Sequence, residues 1–147
     1  MDPLTGHHRI AKRFTFEAAH RLSGLPDGHK CARLHGHSYT AEIVLTADDL
    51  VPPGFVTDFV DLAVFGVYLN EHLNHRILND VLPVSPTSEN LAHHLAEWFI
   101  ENVEPRVPGR LAAVRVSETA SSWAEYVAPS RRSREAALDL PNPTGRQ

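Results

Sequence analysis

The side chains best suited to chemistry lie close together in the stretch from His20 to His37. The stretch contains three spaced histidines, His20, His35 and His37, and the chain's single cysteine, Cys31. His35 and His37 are two residues apart, so on an extended strand both imidazoles project from one face. A third imidazole from a neighbouring strand would complete three nitrogen ligands with one coordination position open, as catalytic Zn²⁺ sites require. The spacing therefore predicts a zinc site at these three histidines.

The residues that flank the histidines alternate as they do in strands. Every second residue from 10 to 18 is apolar, apart from one lysine, and His20 ends this face. A second alternating face begins at His35 and continues to residue 45. Antiparallel pairing of the two strands would bring all three imidazoles to one end of a sheet. The loop between them, residues 22–34, holds turn-forming glycines and a proline together with Cys31.

Alternatives stay open for the metal and for the cysteine. Copper and nickel also accept imidazole ligands, and zinc is expected because no second soft ligand or redox signature accompanies the histidines. Cys31 lies four residues before His35, close enough to act at the open face of the metal. Cys31 could instead be a fourth ligand of a closed structural site, and the histidines could be ordinary core residues.

Composition limits the classes of protein and partner. A chain of 147 residues is long enough for one domain with a substantial core. No apolar run approaches the roughly 20 residues that span a bilayer, and residues 1–9 lack the apolar core of a signal peptide. A lone cysteine fits a reducing cytoplasm, and a net charge of −4 without a basic stripe argues against nucleic acid. We expect a cytoplasmic protein without membrane or nucleic-acid partners.

The remaining patterns predict two helices and two further strands. Apolar residues at helical spacing indicate a helix over residues 59–73, with Asp58 as its N-cap, and another that starts within residues 87–90 and continues to about residue 103. Alternation over residues 111–117 and 123–127 indicates two strands. The predicted fold class is α+β, a β-β-α-α-β-β antiparallel sheet with two helices on one face.

The predicted domain covers residues 10–128, between an N-terminal extension, residues 1–9, and a flexible C-terminal tail, residues 129–147. The tail is assigned because it holds several prolines and charges without an apolar period. A four-stranded sheet of this kind leaves two edges open to pairing. We expect copies of the chain to join edge to edge and close a barrel.

The chain resembles the 6-pyruvoyltetrahydropterin synthase / 6-carboxytetrahydropterin synthase family, of the tunnelling-fold (T-fold) group. The match covers about residues 11–127, and the segments that carry it are 14–20 (FTFEAAH), 29–37 (HKCARLHGH), 56–59 (VTDF), 73–75 (LNH), 86–90 (PTSEN) and 116–119 (VSET). Three residues separate Cys31 from His35, as in the bacterial 6-carboxy-5,6,7,8-tetrahydropterin synthase branch on the queuosine (7-deazapurine) route, whereas the animal-type branch has five.

That branch implies a lyase that converts 7,8-dihydroneopterin triphosphate to 6-carboxytetrahydropterin, acetaldehyde and triphosphate. A 6-pyruvoyl product and a pterin-binding protein without turnover are the alternatives. The resemblance also implies a homo-oligomer, commonly a hexamer of two trimers.

The resemblance assigns roles to individual residues. Zn²⁺ is held by the three histidines, Cys31 is the base, and His75 is its proton-transfer partner, although a histidine there could simply cap a helix. Glu118 corresponds to the pterin anchor, since a carboxylate matches two neighbouring N–H donors. Thr87 and Ser88 complete the pterin pocket from an adjacent subunit, and N-capping is compatible with that role. Lys30 and Arg33 are candidates to attract the triphosphate because of their charge and place.

Asn74 departs from the family pattern, in which many members pair an aspartate with the proton-transferring histidine. Asparagine can orient the imidazole of His75 but cannot stabilise the imidazolium as a carboxylate does. We therefore expect either slower turnover or another acid, such as Asp80 or Glu71, in that role.

Overall fold

The computed structural model describes residues 5–130 and residue 138. A five-stranded sheet packs against helices, so the fold class is α+β as predicted. The strands are β1 (His8–His20), β2 (His35–Ala47), β3 (Arg76–Ile77), β4 (Arg110–Thr119) and β5 (Ser122–Val127). The helices are α1 (Ala63–His72), α2 (Leu78–Val81) and α3 (Ser88–Asn102), and short 3₁₀ turns cover Lys30–Ala32, Phe59–Leu62 and Glu104–Arg106. The strand order is β3-β1-β2-β4-β5.

The hairpin of β1 and β2 determines where the histidines lie. The strands pair antiparallel, with His20 opposite His35 and Ala18 opposite His37. Alternation gives the hairpin one buried face, on which Phe16 stacks against Tyr39 with ring centroids 5.1 Å apart. The strands therefore end together, and the imidazoles gather at the edge of the core.

The apolar sheet face and the helices share one core. Helix α3 contributes Leu91, Leu95 and Phe99, and α1 contributes Phe65 and Leu69, all of them buried. Helix α1 packs closely on β1 at Gly66. A Cβ atom at this position would stand only 3.0 Å from the ring of Phe14, so glycine allows the close approach. Both predicted helices thus lie on one face of the sheet.

Strand β3 and helix α2 were not predicted. Strand β3 is two exposed residues long and pairs parallel with β1, so the sheet is mixed and not purely antiparallel. Two residues are too few to display an alternation. The predicted helix over 59–73 is a 3₁₀ turn, capped by the Asp58 carboxylate at 3.0 Å from the Val60 nitrogen, followed by α1.

The domain boundaries differ at the N-terminus. Strand β1 begins at His8, so His8 and Arg9, which were assigned to an extension, pair with the end of β2. Their side chains are exposed, and backbone hydrogen bonds place them in the sheet without an apolar signal. The predicted tail lies outside the described residues, apart from residues 129, 130 and 138. Within the described part of the chain, no helix has the length and apolar character needed to cross a membrane.

Candidate active site

The three histidines converge through the same ring nitrogen. The Nε2 atom of His20 lies 3.0 Å from Nε2 of His35 and 3.2 Å from Nε2 of His37. The ligand atoms of the three residues all lie within 4.8 Å of one another. His20 is buried, whereas His35 and His37 are half-buried, so the cluster has one covered side and one open side.

Backbone carbonyls determine the tautomers of two of the rings. Nδ1 of His20 donates to the carbonyl of Pro86 at 2.7 Å, and Nδ1 of His35 donates to the carbonyl of Arg33 at 2.7 Å. A carbonyl can only accept, so each Nδ1 carries the proton and each Nε2 presents a lone pair. Carbonyl acceptors of this kind are what orient metal-binding histidines.

Two lone pairs 3.0 Å apart repel each other unless a cation lies between them. Zn–N bonds of about 2.0–2.1 Å in a tetrahedral site place the nitrogens roughly 3.3 Å apart, close to the separations of 3.0 and 3.2 Å found here. The donor set therefore fits a tetrahedral metal with three protein ligands.

Burial shifts the pKa values of His37 and Tyr39. Desolvation lowers the pKa of His37, and the nearby Glu118 carboxylate opposes that shift while the imidazoles of His20 and His35 add to it. The neutral imidazole that metal binding needs is thereby favoured. Burial, with a smaller contribution from Glu118, raises the pKa of Tyr39, whose hydroxyl lies 3.2 Å from Nδ1 of His20 and stays protonated.

Cys31 is a free, half-buried thiol in the 3₁₀ turn between β1 and β2. Its N–H donates to Nδ1 of His29 at 3.1 Å, and its carbonyl accepts from the Leu22 N–H at 3.0 Å. In the part of the chain that the structure describes, the metal-ligand cluster consists of the three histidines without Cys31. The arrangement is that of an open site, and it does not support the alternative of a closed Cys-His₃ site.

Glu118 lies beside the histidine cluster. Its carboxylate oxygens are 3.5 Å from Nε2 of His37 and 3.7 Å from Nε2 of His20. The Ser88 hydroxyl donates to Glu118 at 3.1 Å, while Thr87 caps α3 by accepting from the Asn90 N–H at 3.1 Å.

A cavity of about 300 Å³ is lined by Thr87, Ser88, Glu118 and Trp123. Ser88 contacts Glu118 of its own chain, and the role of Thr87 and Ser88 in the pterin pocket of an adjacent subunit stays a prediction. The contact arises because the start of α3 lies against the end of β4, which no local sequence pattern reveals.

His75 lines a second cavity, of about 480 Å³, together with Glu17, His37 and Ser38. The backbone of His75 has φ of 60°, and its N–H donates to the Glu17 carbonyl at 2.6 Å. Few non-glycine residues adopt this left-handed conformation, and those that do cluster at functional sites. His75 lies beyond the end of α1, so it is not a simple helix cap.

A family model described as 6-pyruvoyl tetrahydropterin synthase matches residues 9–129. The chain belongs to this family. Its sequence is 43% identical to the 6-carboxy-5,6,7,8-tetrahydropterin synthase of Synechocystis, over 82% of this chain and 93% of that one. It is 30% identical to the synthase of the same name from Aquifex aeolicus, over 80% of this chain and 96% of that one.

Solved structures show the same fold. The 6-pyruvoyl tetrahydropterin synthase of Caenorhabditis elegans superposes with a TM-score of 0.71 at 25% identity, over 84% of this chain and 97% of that one. An uncharacterized protein from Wolinella succinogenes superposes with a TM-score of 0.76 at 21% identity, over 85% of this chain and all of that one. The prediction of a T-fold is confirmed.

In the described part of the chain, the side-chain hydrogen bonds of Asn74 go to partners other than the His75 ring, and the effect of Asn74 on turnover stays a prediction. The Asn74 Oδ1 accepts from the Glu17 N–H at 2.9 Å, and its Nδ2 donates to Oδ1 of Asn70 at 3.1 Å. The amide thus links α1 to β1. Among the described residues, the acid that forms an ion pair with the His75 ring is Glu17, with Oε2 3.8 Å from Nε2. Sequence reasoning missed Glu17, although its place in the FEAAH segment, three residues before His20, could have drawn attention to it.

Lys30 and Arg33 lie exposed in the loop that carries Cys31. The backbone carbonyl of Arg33 holds His35, as described above, and its side chain and that of Lys30 are free to face solvent. Their role toward a triphosphate stays a prediction.

Proposed function

We propose that the chain is a zinc-dependent 6-carboxy-5,6,7,8-tetrahydropterin synthase, a lyase that converts 7,8-dihydroneopterin triphosphate and water to 6-carboxytetrahydropterin, acetaldehyde and triphosphate. The observation that carries the proposal is the convergence of three imidazole Nε2 atoms, those of His20 and His35 unprotonated, beside the Glu118 carboxylate. The three-residue interval between Cys31 and His35, and the names of the Synechocystis and Aquifex relatives, support this branch of the family.

The geometry suits a pterin bound between the histidines and α3. The two oxygens of Glu118 can accept paired N–H groups from the aminopyrimidinone edge, and the Ser88 hydroxyl holds the carboxylate in place. This contact orients the ring so that the substrate's side chain extends toward His20, His35 and His37. A Zn²⁺ held by these histidines would polarise the side-chain hydroxyl oxygens and so acidify the neighbouring C–H bonds.

Cys31 and His75 then divide the proton transfers. The Cys31 thiolate removes a proton beside a hydroxyl-bearing carbon, and His75 moves a proton at the other side of the substrate from the cavity that it shares with His37. Lys30 and Arg33, both exposed in the loop that carries Cys31, supply positive charge that would attract the triphosphate.

The proposal includes a cytoplasmic homo-oligomer, a hexamer of two trimers, acting on the queuosine or a related 7-deazapurine route. The open edge of β5, with Trp123 and Val127 more than half exposed, supports association. The single cysteine supports a reducing compartment. A monomer at micromolar concentration in gel filtration would overturn the oligomer.

The test of function is to incubate zinc-loaded protein with 7,8-dihydroneopterin triphosphate and identify the products by mass spectrometry. We expect 6-carboxytetrahydropterin and acetaldehyde, and a 6-pyruvoyl product would reassign the branch. Unchanged substrate with folded, zinc-bound protein would refute the enzyme and favour a pterin-binding role.

Two variants separate the parts of the site in that assay. Cys31→Ala should keep one zinc per chain by elemental analysis and lose turnover, because the thiol lies outside the ligand cluster. His20→Ala should lose both zinc and turnover. Loss of zinc in Cys31→Ala would show that the cysteine is a ligand.

A further inference from the structure

Glu17 and His75 face each other across the second cavity, and one oxygen of the carboxylate is already occupied. The Ser38 hydroxyl donates to Oε1 of Glu17 at 3.2 Å, while Oε2 lies 3.8 Å from Nε2 of His75. Because Ser38 holds one oxygen, the other is directed toward the imidazole. The side chains of Glu17 and His75 are 67% and 75% exposed in the single chain, so the pair stands open to a substrate that enters the cavity.

The backbone holds the two residues at this separation. The His75 N–H donates to the Glu17 carbonyl at 2.6 Å, and the Glu17 N–H donates to the Asn74 amide oxygen at 2.9 Å. Directly after His75, Arg76 pairs with Ala18 as β3 joins β1. Three separate contacts therefore place His75 beside Glu17, and the His75 backbone between them is left-handed, with φ of 60°.

The other acids near this segment do not reach the imidazole. Across residues 5–130, the only ion pair of His75 is with Glu17, and neither Glu71 nor Asp80 forms one with it. Asn74 is neutral, and its amide is used on the backbone of Glu17 and the side chain of Asn70. Of the described acids, the one paired with the imidazole thus lies on β1, and not on α1 or α2, where the sequence suggested Glu71 and Asp80.

We propose that Glu17 is the positioning acid of His75: its carboxylate orients the imidazole and balances the positive charge when His75 takes a proton from the substrate. The inference rests on the proposed function, because it assigns a partner to the proton-transferring histidine of that reaction. Glu17 keeps its own charge throughout, and the proton passes between substrate and His75 only. Asparagine at position 74 is tolerated because the negative charge comes from Glu17.

The experiment measures kcat and KM for Glu17→Gln, which keeps an acceptor for Ser38 and removes the charge. We expect kcat to fall at least about tenfold, a fraction of the 10²–10⁴-fold that acid–base groups supply, with KM changed less than twofold. Zinc content and melting temperature should match the wild type, because the backbone contacts of Glu17 persist. Glu71→Gln, which removes an exposed acid of α1 that forms no ion pair with His75, is the matched control and should behave as wild type.

Chemical rescue distinguishes a charge from a structural role. Glu17→Ala opens space in the cavity, and formate at tens of millimolar should restore part of kcat, whereas formamide, which has the same shape without the charge, should not. Equal effects of formate and formamide, or wild-type kcat in Glu17→Gln, would overturn the inference while the proposed function stands. A wild-type protein without turnover would refute the proposed function, and the role of Glu17 with it.

Discussion

Because the His75 backbone is left-handed, we expect replacement of His75 by glycine to raise the free energy of unfolding while it lowers turnover. The residue has φ of 60°, which glycine adopts freely and which a side chain with a Cβ atom adopts at a cost of about 1–2 kcal/mol. The His75 ring is 75% exposed, and its pairing with Glu17 at 3.8 Å contributes little to folding in water. The ring therefore adds almost nothing that would offset the backbone strain.

The magnitude follows from comparing His75→Gly with His75→Ala. Both variants lose the imidazole, but alanine keeps the strain. Glycine removes about 1–2 kcal/mol of backbone strain from the folded state. It also stabilises the unfolded chain by about 0.4–1 kcal/mol, because glycine has more conformational freedom there. The glycine variant should be more stable than the alanine variant by about 1 kcal/mol, or about 3 °C in melting temperature for a domain of this size.

The assay is thermal unfolding of both variants, zinc-loaded at equal concentration, beside turnover of dihydroneopterin triphosphate. Both variants should have lost most turnover, while the glycine variant melts at or above the wild-type temperature. If His75→Ala proves as stable as His75→Gly, the backbone is not strained and the reasoning is wrong. If either variant keeps wild-type turnover, His75 does not transfer a proton.

Two further predictions concern other histidines. His29→Ala removes the acceptor of the Cys31 N–H, so the turn that presents the thiol should loosen, and turnover should fall while zinc content by elemental analysis stays the same. Equal turnover would show that the turn does not depend on this contact. Burial lowers the pKa of His94 from its usual 6.5, against the charge of Glu97 and with a smaller lowering by His93. The unfolded state then binds the extra proton, so urea unfolding should show stability that is complete above about pH 6.5 and declines below it. His94→Gln should weaken that decline, and an unchanged pH profile would contradict the assignment.

The histidine site could be predicted from the sequence because its signals are local. Alternation over β1 and β2 predicts both strands and the buried side of each, and a hairpin forces the end of one strand to meet the start of the next. His20, His35 and His37 are therefore brought together by the same pattern that builds the core.

The surroundings of His75 could not be predicted in this way. Asn74 and Glu17 are 57 residues apart, and their contact depends on how α1 docks on β1. The same holds for Ser88 and Glu118, 30 residues apart, which meet only because α3 begins where β4 ends. Motif resemblance named most of these residues, but their partners follow from packing, which a motif does not encode.

The register that places His20 opposite His35 also puts the histidine cluster at the point where the two ends of the loop 21–34 meet. The loop begins directly after His20 and ends directly before His35. Backbone hydrogen bonds such as that from the Leu22 N–H to the Cys31 carbonyl cross the loop. A bound ion would cross-link the two ends of the loop, much as a disulfide does, whereas the Nε2 lone pairs of His20 and His35 repel each other when no ion is bound. The loop bears Arg21, Lys30 and Arg33, all exposed, so susceptibility to trypsin there reports whether the ion is bound. Proteolysis of the metal-free protein would then begin at the segment that carries Cys31.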